Sequence, residues 1–195
     1  MPTRKLSQLA TVRMGATLRG RDATRPDPAG PFRLIQISDL DDRGGFLPHE
    51  FTRVSPREPI PDPIFLRPGD LLFPNRGTRT TASVFEGHAS PVFVGAQFFI
   101  IRPTSSKILP QFFAWTLRTG IASAYFDSHR RGSNVLTLQK ATMENFEVPL
   151  PPLETQHAIV ELDRLHQHAR DLESRLAVLR GIHLEESLIT LAHRA

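Results

Sequence analysis

Phe146-Glu-Val-Pro-Leu-Pro-Pro-Leu-Glu-Thr-Gln156 is the stretch that decides the architecture of this 195-residue chain. Its prolines bar a helix upstream and hold the backbone extended, so the segment reads as a strand end. Directly behind it comes an apolar repeat at Ala158, Leu162, Leu165, Ala169, Leu172, Leu176 and Leu179. The steps alternate four and three, which is the seam of a coiled coil; a helix packed on a globular core shows a wider stripe. A helical arm is therefore expected from about Leu153 towards Leu191, with the seam fraying around Gly181, a poor helix residue. If residues 154–191 are all helical, the arm is about 57 Å long. No partner helix with a matching stripe exists in the chain. Leu162, Leu165, Ala169, Leu172, Leu176 and Leu179 are thus the expected dimer interface, and a domain presented in pairs is built to read two sites.

Working outward, residues 1–150 hold enough chain for one globular domain and residues 151–195 form its arm. Phe32–Ile37 alternates as a strand should. Arg67-Pro-Gly-Asp70 is a turn, and Leu71–Phe73 behind it is a short buried strand. Ala82–Glu86 and Val92–Arg102 are rich in strand formers, Leu109–Leu117 is an amphipathic helix, and Gly120–Phe126 suggests another. Val135–Leu138 with Met143–Leu150 is expected to complete the sheet, and the proline-rich Phe51–Ile64 to follow the surface. Trp115 is expected in the core. The fold class is α+β: a mixed, largely antiparallel sheet domain followed by a long C-terminal coiled-coil helix.

Charge is more informative by region than in sum. Residues 1–152 hold 19 basic and 13 acidic side chains, whereas residues 153–195 hold five and seven. The basic surplus lives on the globular part, the footprint of a polyanion binder. Of 24 basic residues 21 are Arg. Guanidinium can fork onto guanine edges or phosphates, although the codon bias of a GC-rich genome gives the same ratio. Three loops collect these cations. Arg19, Arg21 and Arg25 lie in a Gly- and Pro-rich loop. Arg76, Thr78, Arg79, Thr80 and Thr81 follow the strand ending near Phe73. His129, Arg130, Arg131, Ser133 and Asn134 form the third group, with Asn suited to adenine. A merely solvated loop has the same composition.

Taken in order, these pieces resemble the specificity subunit of type I restriction–modification systems. The matching residues are Leu6-Ser-Gln-Leu-Ala10 with Gly15, Ile35-Gln-Ile-Ser-Asp-Leu40 with Gly44-Gly45, and Leu66-Arg-Pro-Gly-Asp-Leu-Leu72 followed by Arg76-Gly77. Gly132-Ser133 ahead of Leu136, and Val148-Pro-Leu-Pro-Pro-Leu-Glu-Thr-Gln156, complete the set. The resemblance implies a target recognition domain that reads double-stranded DNA, joined to a helix that serves as ruler and docking arm. It implies a DNA adenine methyltransferase subunit as partner and, in complete systems, a translocating endonuclease subunit. The usual subunit carries two recognition domains and two helices, and this sequence has one of each. It looks like a half-size form, whose two copies would read a split palindrome with heads about 34 Å apart, one turn of DNA. The alternative is a free-standing dimeric DNA-binding regulator or anti-restriction protein with no methyltransferase partner.

Catalytic readings fail on the residues. An Asp…Glu-x-Lys nuclease needs an acidic residue two before a Lys, and Lys107 and Lys140 follow Ser105 and Leu138. No Gly-rich cofactor loop, Asn/Asp-Pro-Pro-aromatic motif, serine elbow or phosphate loop occurs. The chain has no Cys, which rules out thiol catalysis and fits a cytoplasmic setting. His157, His166, His168 and His183 read as solvated helix residues and not as metal ligands. The longest apolar stretch, Pro91–Ile101, is too short to span a bilayer. The expectation is a non-catalytic DNA-recognition protein that needs no cofactor.

Overall fold

The structure, a computed structural model, describes residues 2–18, 24–132 and 135–193. The chain divides into two compact units, Met1–Gln156 and His157–Ala195.

The first unit is built on three sheets. A two-stranded antiparallel ribbon joins β1 (Thr3–Lys5) to β9 (Glu147–Pro149). A four-stranded antiparallel sheet runs in the order β2 (Ala10–Met14), β8 (Phe98–Pro103), β5 (Leu71–Pro74), β6 (Ser83–Val84). The third sheet is mixed: β3 (Phe32–Ile35) lies antiparallel to β4 (Thr52–Val54) and parallel to β7 (Val92–Val94). β5 is buried along its whole length. Its Leu72, with Phe98 and Ile100, packs against Ile35, Val92 and Val94 of the mixed sheet. The opposite face receives helices α1 (Pro110–Arg118) and α2 (Gly120–His129), where Phe126 meets Phe73 at a ring separation of 5.0 Å. Each such buried aromatic or aliphatic side chain contributes about 1.5–3 kcal/mol.

The Arg67-Pro-Gly-Asp70 turn is anchored as well as bent. The Asp70 carboxylate, 1% exposed, accepts the Arg67 amide at 2.8 Å and is gripped by Arg102 at 2.6 and 2.7 Å. A bidentate guanidinium satisfies a carboxylate that would otherwise be costly to bury. β5 thereby leaves the turn on a fixed course towards the loop that follows Pro74.

The Pro-Pro-Leu-Glu-Thr-Gln segment ends in a buried lock. Gln156 is 0% exposed. Its Nε2 donates to the carbonyls of Lys107 (2.8 Å) and Pro151 (2.9 Å), and its Oε1 accepts the Leu109 amide at 2.9 Å. The first unit therefore extends through Gln156, beyond the expected boundary at 150. The last helix, α4 (Leu153–Ala192), runs for 40 residues, about 60 Å, straight through Gly181.

Several local expectations are corrected. Residues 140–145 form a short helix, α3 (Lys140–Asn145), so the strand expected from Met143 begins only at Glu147, and Val135–Leu138 contributes isolated bridges at Thr137 in place of a strand. The helix buries Met143 and carries a Lys140–Glu144 ion pair at 3.3 Å, four residues apart as a helix requires. Val92–Arg102 is two strands in different sheets. The Phe51–Ile64 segment contributes β4, with Val54 fully buried. Trp115 is half-buried, stacked on Phe112 at 5.4 Å, and not a core residue. Among the described residues no helix is long and apolar enough to cross a membrane.

Candidate nucleic-acid interface

Two of the three cationic loops meet. The loop after β5 and the loop after α2 are more than fifty residues apart in sequence, yet the backbone joins them in ladder fashion. The Gly77 amide donates to the Leu136 carbonyl at 2.8 Å, and the Leu138 amide donates to the Asn75 carbonyl at 2.8 Å. Within the second loop Arg131 and Thr137 exchange both backbone bonds, at 3.0 and 2.7 Å. Thr137 thus bridges Arg76 on one side and Arg131 on the other. Two glycines permit the bends: Gly77 has φ +80° and Gly132 φ +127°. At Gly132 a Cβ would stand 2.3 Å from the Val135 carbonyl oxygen, so no other residue fits without moving the loop.

This composite surface sorts its side chains into two groups. Arg76, Thr78, Arg131 and Thr137 are exposed. Neither the Arg76 nor the Arg131 guanidinium has a hydrogen-bond partner among the described residues. They present free donors of the type that forks onto phosphates or base edges.

Arg79, Thr80 and Arg130, expected to face a ligand, are instead engaged internally. Arg79 donates to the carbonyls of Ile37 (3.2 Å) and Leu40 (3.0 Å) and pairs with Asp42 at 2.7 Å. Thr80 Oγ1 donates to Ser123 Oγ at 3.3 Å. The Arg130 side chain is 1% exposed; its Nη2 donates to the Arg79 carbonyl at 2.9 Å and its Nε to Asp127 at 3.3 Å. The reason is geometric. Arg130 is the cap residue at the end of α2 and still lies one turn from Asp127, whereas Arg131 has entered the loop. Tyr125, on the same helix, donates its hydroxyl to the Thr142 carbonyl at 3.2 Å, and burial raises its pKa, so it stays a donor. Thr81 Oγ1, Ser83 Oγ and Arg130 Nη1 are buried without a hydrogen-bond partner among the described residues.

The remaining expected residues divide differently. Arg19, Arg21, Ser133 and Asn134 lie outside the described residues. Arg25 is exposed, on a loop tied to β4 through the Asp27 amide and the Arg53 carbonyl at 2.9 Å. No described contact links that loop to the other two. Thr137 was not singled out in the sequence; its signal is the Gly132 bend five residues before it, which folds the chain back. Among the described residues no cluster of His, Cys, Asp or Glu is placed to hold a metal ion.

On α4, the seam leucines are exposed in the single chain: Leu162 67%, Leu165 49%, Leu172 51%, Leu176 46% and Leu179 62%. Ala169, between them, is exposed too. The helix is steadied locally by Arg164 on Glu161 at 2.6 Å and by Gln167 on Asp163 at 2.7 Å.

The family described as the type I restriction modification DNA specificity domain matches residues 3–177, and the chain belongs to it. In that family the specificity component recognises DNA and is not a catalyst. A relative assigned as the MjaX type I restriction enzyme specificity subunit of Methanocaldococcus jannaschii is 26% identical over 98 residues, 48% of this chain and 23% of the relative. The HsdS subunit from Thermoanaerobacter tengcongensis shares the fold with a TM-score of 0.61 at 21% identity, covering 88% of this chain and 38% of that one. The type I S subunit from M. genitalium does so with a TM-score of 0.57 at 11% identity, covering 86% and 39%. The chain thus spans less than half the length of these relatives.

Proposed function

We propose that this chain is the sequence-reading part of a type I-like restriction–modification complex, with the joined loops as its reading surface. The observation that carries this is the Gly77–Leu136 and Leu138–Asn75 pairing, which brings Arg76 and Arg131, whose guanidinium groups have no partner among the described residues, together beside Thr137. Arg and Thr side chains presented together in this way can contact guanine edges and phosphates in the major groove. The pairing seam of α4, apolar yet exposed, supports a second copy as its occupant, giving a symmetric pair of heads and a split palindromic site. Beyond Leu179 the exposed apolar residues Ile182, Leu184, Leu188 and Ile189 leave the seam and spread around the helix. That breadth suits more than one neighbouring helix, and a DNA adenine methyltransferase subunit is the partner we assign there. An endonuclease subunit joins where the system carries one. The working compartment is the cytoplasm, where the DNA is.

The test is co-expression with the adenine methyltransferase subunit of a type I system from the same genome, followed by tandem purification and mapping of methylated adenines. A stable complex and methylation at one split palindrome, seen only when both chains are present, is the expected result. Methylation that is unchanged without this chain contradicts the proposal.

A further inference from the structure

The second loop carries two aliphatic side chains into solvent: Val135 is 56% and Leu136 37% exposed. One exposed aliphatic residue is ordinary. A pair held stiffly among cations is not. The Leu136 carbonyl is fixed by the Gly77 amide, Thr137 is bonded twice to Arg131, and the Val135 carbonyl packs where Gly132 has no Cβ. The chain then turns Leu138, 5% exposed, into the core. The backbone is therefore held at Leu136, Thr137 and Leu138, while among the described residues Val135 stays more than half exposed and Leu136 more than a third. Arg76, Arg131 and Thr137, all exposed, sit on the same ribbon.

A polyanion with apolar spots at fixed positions fits this surface. In the major groove the apolar spot is the C5-methyl of thymine, beside the acceptors that Arg and Thr can reach. Side chains that wedge between base pairs include Leu but not Val; here the more exposed of the two is Val135, short and stiff at its β-carbon, which suits surface contact with a methyl group. We propose that Val135 and Leu136 are specificity-determining residues that pack against thymine methyl groups in each half-site. This rests on the DNA-reading function proposed above.

The experiment begins with selection of duplexes from a randomised pool by the full chain. Each thymine of the selected site is then replaced singly by uracil, which lacks only the methyl group. The expected result is a loss of about fourfold in affinity at one or more positions, the value of one buried methyl-sized group. Val135→Ser and Leu136→Ser, both at exposed positions, should keep the thermal midpoint and lose that discrimination. Tolerance of uracil at every position overturns the inference, as does discrimination that survives in both variants. Salt-sensitive binding without any selected sequence also overturns it while leaving a DNA-binding surface in place. Absence of all duplex binding removes the proposed function along with it.

Discussion

The Arg130 guanidinium donates to the Arg79 carbonyl at 2.9 Å, a bond made at a buried position between the two candidate reading loops. The side chain clamps the loop after β5 from within and does not reach solvent. Arg130→Ala should cost about 1.5–3 kcal/mol in urea unfolding, the value of a hydrogen bond to a charged group. DNA affinity should fall with it, although Arg130 faces no solvent. Arg130→Lys should recover little, because one ammonium cannot serve both Asp127 and the Arg79 carbonyl in the same geometry.

Gly132→Ala places a methyl group against the Val135 carbonyl and demands a φ of +127° from an L-residue. The strain is on the order of 1–3 kcal/mol. Because the loop is local, the expected outcome is weakened DNA binding and faster amide exchange at Thr137, with the core strands still protected. Hydrogen-exchange mass spectrometry reads both.

Gln156→Glu sets a carboxylate against the Lys107 and Pro151 carbonyls and removes their donor. Leaving such buried groups unsatisfied costs about 1–3 kcal/mol each. The thermal midpoint should drop by several degrees for a unit of this size. Gln156→Asn, with the right chemistry and a shorter reach, should fall in between. Calorimetry on the three proteins checks the order.

Much of this layout was legible in the sequence, for identifiable reasons. The four-three leucine spacing and the Pro-Pro-Leu-Glu-Thr-Gln segment are local patterns, and local patterns survive without coordinates. Loop composition was legible too, since Gly77 and Gly132 stand among Arg and Thr. What could not be read is that these two loops join, because the Gly77–Leu136 bond links residues far apart in the chain. Arg130 and Arg131 are the same residue side by side with opposite fates. Only the phase of α2 separates them, and Asp127, three residues earlier, was the available hint. The strand pattern of Phe146–Leu150 does not reach back to Met143, which lies in a short helix whose Lys140–Glu144 spacing is the local sign of it.

Leu172→Asp tests the arm apart from the reading head. A charge in the middle of the exposed seam should turn a concentration-dependent dimer into a monomer, while the first unit keeps its thermal midpoint. Sedimentation equilibrium of both proteins gives the answer. A native chain that is monomeric at all concentrations, free and on DNA, removes the paired-head arrangement.

The central claim is that the joined loops read DNA through Arg76 and Arg131, and the most direct measurement is duplex affinity for the Arg76→Ala/Arg131→Ala double variant at fixed salt. Both side chains are exposed and unpartnered among the described residues, so stability should be unchanged. Each should contribute about 1–3 kcal/mol where it reads a base, or about one unit of salt slope where it holds a phosphate. The account predicts an affinity loss of at least about tenfold with an unaltered melting curve. Arg79→Ala should instead lower the melting temperature by breaking its bonds to Ile37, Leu40 and Asp42. Native-like DNA affinity in the folded double variant would contradict the account.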